Sequence, residues 1–120
     1  MKILVVDDSP VMRKLITRSI RQAGYGDANV VEAEDGAHAL EVASSEQPDL
    51  ILADWNMPNL TGIEMLCALR DKGDAVRVGF VTSESSKETK LSAQQAGASF
   101  FLSKPIDTNL LEAALASVVG

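Results

Sequence analysis

An α/β fold, with five parallel strands doubly wound between two layers of helices, is what this chain predicts. Three observations carry the expectation. Short apolar runs alternate with helical patterns five times along the 120 residues. The runs have no polar face, as expected of strands covered on both sides rather than one. Asp, Ser, Thr and Lys residues stand directly after most of them. Strand–helix alternation of this kind calls for a parallel sheet with right-handed crossovers, and so for a three-layer (βα)5 sandwich. Residues 1–120 read as a single domain, with no internal repeat, low-complexity segment or linker.

The elements follow in order. Residues 3–6 (ILVV) form the first strand, and Ser9-Pro10 then reads as a helix N-cap followed by the first helical position. Over residues 10–23, Met12, Leu15, Ile16, Ile20 and Ala23 mark one face, while Arg13, Lys14, Thr17, Arg18, Arg21 and Gln22 occupy the other. Gly24-Tyr25-Gly26 closes this helix. The second strand spans 29–33, and Asp35-Gly36 leads into an Ala-rich helix around 37–44 that carries His38 at an exposed polar position. Pro48 precedes the third strand at 50–53, which ends at Asp54. A loop over 55–60 leads to a helix at 62–70, with Thr61 and Glu64 at capping-box spacing. The fourth strand is 76–81. Ser85 with Glu88 offers a second capping box before a helix to about Ala96, which Gly97 ends. The fifth strand is 99–102, and the last helix runs from Asp107 onward.

Composition narrows the function classes. Apolar residues make up 46% of the chain, enough for one core, and the formal charge is −6 with a pI near 4.6. Binding to nucleic acid or anionic lipid needs a basic footprint, so neither is expected as a direct partner. The single cysteine, Cys67, has no partner for an internal disulfide, and a reducing cytoplasm is the simplest compartment. No apolar run approaches the roughly 20 residues of a membrane span. Asp7 and Asp8 interrupt the one candidate for a signal-like segment.

In open parallel sheets, ligands bind beyond the carboxyl ends of the strands. Asp7 and Asp8 follow the first strand, Asp54 the third, Thr82 and Ser83 the fourth, and Ser103, Lys104 and Pro105 the fifth. The second strand, ending in Glu32, Ala33 and Glu34, is less distinctive. Helix capping explains one short polar residue at each turn, but Ser9 already serves that purpose after the first strand. Asp54 stands about seven residues before its helix, too early to cap it. Three clustered carboxylates need a counter-cation or a shared proton. An oxygen-only site with open positions suits Mg²⁺, with Mn²⁺ as the alternative, and the lack of His or Cys at these strand ends argues against zinc. Lys104 adds a point charge for a phosphoryl oxygen, Thr82 a hydroxyl donor, and Asp54 a carboxylate able to attack phosphorus. Together these are the needs of phosphoryl transfer: positioning and charge neutralisation.

The motifs VVDD, DWNMP, the Thr after strand four and the KP after strand five together resemble the receiver domain of bacterial two-component response regulators. The resemblance covers essentially the whole chain. VVDDSPVMRKL, EAEDG, DWNMPN and AGAS are most similar to the stand-alone chemotaxis members. It implies a flavodoxin-like fold and a signalling switch, not an enzyme acting on external substrates. Asp54 would be the phosphoacceptor for a histidine kinase or phosphotransfer protein. Asp8, Asp54 and the Asn56 backbone carbonyl would ligate the metal, and Asp7 would hold its water shell. Lys104 would contact the phosphoryl group, and the Lys104–Pro105 bond would be cis. Thr82 would move toward the phosphoryl group while the aromatic at Phe101 turned inward, coupling the site to the surface of the fourth helix, fifth strand and fifth helix. That surface would meet a downstream protein, the chain acting as a monomer or a phosphorylation-linked dimer. Asn56 and Glu84 would tune the lifetime of the acyl phosphate.

Two features depart from the family pattern. Phe101 stands where Tyr or His is frequent, so it can fill space but offers no hydroxyl, and plain core packing is its other reading. The last helix, TNLLEAALASVVG, spreads apolar residues beyond one face, through either alanine's helix propensity or a partner-binding surface. Two other functions compete. A phosphatase of the haloacid dehalogenase type would need a second acid two residues after its Asp nucleophile, where this chain has Asn56. A flavin or nucleotide carrier would need a phosphate-cradling loop after the first strand, where two acids stand instead. A receiver belonging to a longer multidomain regulator is the alternative to a free-standing protein.

Overall fold

The computed structural model describes residues 1–84 and 86–119. The elements are β1 (Lys2–Val6), α1 (Pro10–Gln22), β2 (Asn29–Ala33), α2 (Gly36–Glu46), β3 (Leu50–Ala53), α3 (Gly62–Asp71), β4 (Arg77–Thr82), α4 (Lys87–Gln95), β5 (Phe100–Ser103) and α5 (Thr108–Val119). The five strands are all parallel, in the order β2-β1-β3-β4-β5. Stepping from β1 outward to β2 and then back across to β3 reverses the direction of winding. The switch point lies between β1 and β3, and it brings the ends of these two strands side by side.

Strand alternation sorts the apolar residues into two cores. Leu4, Val6, Ile51, Ala53, Val78 and Phe80 point toward α2, α3 and α4, where they meet Ala39, Ala43, Met65, Leu66, Leu69 and Ala93. Ile3, Val5, Leu50, Leu52 and Val81 point the other way, against Ile16 and Ile20 of α1 and Leu111, Leu115 and Val118 of α5. Burial of every β1 and β3 strand residue from Ile3 to Val6 and Leu50 to Ala53 explains why these runs lack a polar face. The edge strand β2 is half-exposed, in keeping with its mixed sequence. In α5, Leu111, Ala114, Leu115 and Val118 are buried, and Leu110 is exposed. Ala113 and Ala116 are exposed beside it, and both helix propensity and a partner-binding surface account for them.

Two adjacent aromatics divide between the cores. Phe101 lies on the α2–α4 side, and Phe100 packs on the α1–α5 side over Gly79, its register partner on β4. A Cβ at Gly79 would stand 2.3 Å from the Phe100 ring, so the glycine is what admits the aromatic.

Capping follows the sequence at α1, where Ser9 accepts from the Met12 N–H and Pro10 opens the helix. At α3 both halves of the Thr61–Glu64 capping box are made. At α4 the cap is Ser86, whose hydroxyl accepts from the Thr89 N–H, so the helix starts one residue later than the Ser85–Glu88 spacing suggests. Ser85 itself lies outside the described residues. The fourth strand begins at Arg77 rather than Val76, because the Val76 N–H is taken by the Asp74 carboxylate in a tight turn. Among the described residues no helix is long and apolar enough to cross a membrane.

Candidate functional site

The carboxyl ends of β1, β3, β4 and β5 meet on one rim. The ladder runs one residue past each of the first two strands: the Asp7 N–H donates to the Ala33 carbonyl at 3.2 Å and the Asp54 N–H to the Val6 carbonyl at 3.1 Å. This holds both aspartates at fixed height above the sheet. Asp7 is 1% exposed, Asp54 9% and Thr82 fully buried. Asp8 is the exposed member.

Each of the three buried side chains is oriented by its own backbone. Asp7 Oδ1 accepts from the Ser9 N–H at 2.9 Å, Asp54 Oδ1 from the Asn56 N–H at 3.2 Å, and Thr82 Oγ1 from the Glu84 N–H at 3.1 Å. Short oxygen-bearing side chains make such turns with the residue two positions on, which explains why Asp and Thr suit these strand ends. The consequence is chemical as well as structural. One oxygen of each carboxylate is held in place, and the other is left facing the centre of the rim.

Lys104 fills that centre. It follows β5, its N–H is tied to the Thr82 carbonyl at 2.9 Å, and the Lys104–Pro105 bond is cis as the family pattern implies. Its ammonium donates to Asp7 Oδ2 at 2.8 Å and Asp54 Oδ2 at 3.0 Å. Burial disfavours this charge, but the hydrogen bonds it donates to Asp7 and Asp54 and their negative charges outweigh it. The ammonium is therefore held above its ordinary value of 10.5.

Asp7, Asp8 and Asp54 each present a carboxylate oxygen within 4.8 Å of the others. Among the described residues the Lys104 ammonium pairs with two of these three carboxylates, so the cluster keeps an excess of negative charge. Its donors are all oxygen, and Asp8 gives it an open side. That set fits a hard divalent cation such as Mg²⁺ or Mn²⁺ and not a thiolate- or imidazole-seeking metal. Asn56, in the turn after Asp54, is exposed. Glu84 lies on the far side beyond Thr82, with the Thr89 hydroxyl 3.5 Å from its carboxylate.

Beneath the rim lies a small aromatic cluster. The Trp55 ring stands edge-on to Phe80 at 5.1 Å between centroids and to Phe101 at 6.3 Å, with Phe80 and Phe101 6.5 Å apart. Phe80 is the direct register partner of Phe101, and Thr82 lies two residues on, on the same face as Phe80. Phe101 is half-buried against this core.

Of the expected residues, Asp7, Asp8, Asp54 and Lys104 come together, Thr82 stands on the neighbouring strand end, and one further contributor, Arg13, is not visible in the sequence. Arg13 reads as part of the polar face of α1. In the structure its Nη1 donates to the Asp7 carbonyl at 2.7 Å and its Nε to Glu32 Oε1 at 2.8 Å, tying the ends of β1 and β2 together. The opposite charge of Glu32 at the end of β2 is its only sequence signal. His38 is exposed as expected, its Nδ1 accepting from the Glu34 N–H.

The response regulator receiver domain family matches residues 3–116. The chemotaxis protein CheY of Pseudomonas aeruginosa is 38% identical over 114 residues, covering 93% of this chain and 90% of the relative. A CheY homologue of Campylobacter jejuni is 34% identical over all of this chain and 93% of its own length. Among solved structures, the signal receiver domain of the putative response regulator NarL from Mycobacterium tuberculosis superposes with a TM-score of 0.87 at 32% identity, over 99% of this chain and 96% of that one. The Vibrio cholerae chemotaxis protein CheY4 gives 0.84 at 34% identity, over 98% and 97%.

Proposed function

The chain belongs to the response regulator receiver domain family, a family of two-component signalling, and from that premise we propose that it is a phosphoacceptor switch with Asp54 as its acceptor. The observation that carries the reading is the Lys104 ammonium bridging Asp7 and Asp54, two of the three carboxylates that Asp8 completes into one cluster.

Asp8, Asp54 and the Asn56 backbone carbonyl would hold Mg²⁺, with Asp7 acting through its water shell. When bound, the metal neutralises charge on the transferring phosphoryl group. Asp54 supplies the nucleophile. A carboxylate oxygen attacks phosphorus, the bond to the donor (a phosphohistidine nitrogen or the acyl oxygen of acetyl phosphate) breaks, and the leaving group carries away its electron pair. Lys104 moves its second hydrogen bond from the Asp54 carboxylate to a phosphoryl oxygen while keeping Asp7. The Thr82 hydroxyl, which accepts from the Glu84 N–H, still has its proton to donate to another phosphoryl oxygen. Asn56 and Glu84 flank the water approach that later hydrolyses the acyl phosphate. No second acid stands two residues after Asp54 to protonate a leaving alcohol, so turnover of external phosphoesters is not expected.

The partners in this reading are a histidine kinase or phosphotransfer protein on one side, and a protein target of the α4–β5–α5 surface on the other, in the cytoplasm. Phosphorylation shifts a pre-existing equilibrium of that surface, with Thr82 and Phe101 as the link and the protein acting as a monomer or a phosphorylation-linked dimer. The test is intact-protein mass spectrometry after acetyl phosphate and Mg²⁺. One phosphoryl mass should be gained by the wild type and lost in Asp54→Ala, with a matching change in Trp55 fluorescence. No mass gain with Mg²⁺ present, or an equal gain in Asp54→Ala, removes Asp54 as the acceptor.

A further inference from the structure

The loop between β3 and α3 carries the residues that follow Asp54, and its position is set from outside itself. At one end the Asp54 side chain holds the Asn56 N–H, and at the other the Gly62 N–H donates to the Trp55 carbonyl at 2.9 Å. Between these points Asn59 adopts a φ of 71°, a left-handed conformation that Asn tolerates better than most residues. This turn sends its side chain toward the neighbouring β2–α2 loop. There Asn59 Nδ2 donates to Asp35 Oδ2 at 2.9 Å, while Asp35 Oδ1 accepts from the His38 N–H at 2.8 Å and caps α2. Both bonds hold the Asp35 carboxyl below its ordinary range, the sign of a carboxylate engaged on both oxygens. The backbones meet beside it: a Cβ at Gly36 would lie 2.6 Å from the Leu60 carbonyl oxygen.

We infer that Asp35 and Asn59 are positioning residues for the rim: their side-chain bridge, with the Gly36–Leu60 backbone contact, fixes the β3–α3 loop so that Asn56 and Asp54 together receive the divalent cation. The inference rests on the reading of the rim as a Mg²⁺ and phosphoryl site. Neither residue is among those that would hold the metal or the phosphoryl group. Asp35 also caps a helix, so a useful test must separate loop positioning from helix stability.

An exchange of the two side chains does so. In Asn59→Asp alone, two carboxylates oppose each other and the bridge opens. In the double variant Asp35→Asn with Asn59→Asp, the new Asn caps α2 through its oxygen and donates its amide to the new Asp. The double variant has the net charge of the wild type. Mg²⁺ is titrated against Trp55 fluorescence, and amide exchange of Asn56 and Met57 is followed without metal. Asn59→Asp is expected to raise the Mg²⁺ dissociation constant about five-fold and speed exchange similarly, and the double variant to restore both to within about two-fold. The direction is diagnostic, because an added negative charge near the rim would by itself tighten Mg²⁺. Asn59→Gly, which keeps the left-handed turn but lacks the amide, should weaken binding as Asn59→Asp does.

Equal or tighter Mg²⁺ binding in Asn59→Asp with unchanged amide exchange overturns the inference. So does a folded double variant that restores neither readout. A wild type that fails to bind Mg²⁺ overturns the site reading instead, and the exchange rates in metal-free protein still decide the bridge.

Discussion

Replacing Lys104 by Met removes the one cation that faces the carboxylate cluster while keeping the length of the side chain. The ammonium lies 2.8 Å from Asp7 and 3.0 Å from Asp54. At an effective dielectric near 20, each attraction is on the order of 5 kcal/mol in raw Coulomb terms, most of it offset by desolvation. Loss of one partner from a buried pair costs about 3–5 kcal/mol, because the remaining charge stays buried. Here the Lys104 side chain is 15% exposed and that of Asp54 11%, so water relieves part of the penalty. A destabilisation of about 2–3 kcal/mol in metal-free protein is expected, or about 10 °C in midpoint for a domain of this size. Mg²⁺ should then recover more stability in the variant than in the wild type, since no ammonium competes with it for the carboxylates. Phosphorylation should fall sharply regardless. The assay is urea unfolding followed by Trp55 fluorescence, in EDTA and in saturating Mg²⁺. The pH dependence carries a sign as well. A cation whose folded value is raised contributes fully below its ordinary value of 10.5 and loses that contribution as pH climbs through the raised value. The gap between wild type and variant should therefore persist from neutral pH to the ordinary value of 10.5 and close only as pH climbs through the raised value. Wild-type stability of the variant in EDTA, or an equal gain from Mg²⁺ in both proteins, refutes the reasoning.

Asp8→Asn keeps the shape of the exposed acid but lowers the repulsion within the cluster. It should weaken Mg²⁺ binding at least about ten-fold and slow phosphorylation in parallel, with thermal stability unchanged or slightly raised. An unfolded variant, or phosphorylation that no longer depends on metal, would show that the Asp7–Asp8 pair has been misread. Gly79→Ala places a methyl group 2.3 Å from the Phe100 ring, so the ring packed on the α1–α5 side must shift. A loss of about 1–3 kcal/mol is expected from overpacking. Acetyl phosphate labelling should persist, because Gly79 lies on the opposite face from Thr82 and Phe101. Wild-type unfolding of this variant would mean that Phe100 moves aside without cost.

The sequence carries the fold where burial is symmetrical. Residues 3–6 and 50–53 have to be covered on both faces, and such strands leave few alternatives to a parallel sheet. The site is legible for a related reason: Asp7 and Asp54 end runs in which every other residue is buried, so a charge there requires a partner. Legibility fails where the outcome depends on backbone geometry between elements. Ser85 and Ser86 are chemically the same, and the sequence spacing alone does not single out Ser86, the observed cap of α4. Arg13 has the spacing of a solvent-facing residue, and its grip on the Asp7 carbonyl depends on β2 being the neighbour of β1. The Asp35–Asn59 bridge spans 24 positions and depends on one left-handed residue. Neither bond has a periodicity that a linear pattern could reveal.

On the proposal that Asp54 is the phosphoacceptor, the rim would also explain why its modification is felt elsewhere. Asp54 is held by its N–H on Val6 and by Oδ1 on Asn56, which leaves Oδ2, the oxygen bonded to Lys104, as the atom free to bond phosphorus. Such a bond draws Lys104 and Thr82 toward new oxygens. Lys104 moves little, because Asp7 still holds it at 2.8 Å and its backbone is tied to Thr82. The Thr82 side chain, held at Oγ1 by the Glu84 N–H, would be the group to follow. A turn of that side chain opens space on the face it shares with Phe80, and across β4 from Phe80 stands Phe101, half-buried and packed on Trp55. A fully buried Phe101 would have no room to respond, and a fully exposed one would gain nothing by moving inward. Its intermediate position, with apolar surface still to bury, gives the aromatic a free-energy reason to enter whatever space Thr82 vacates.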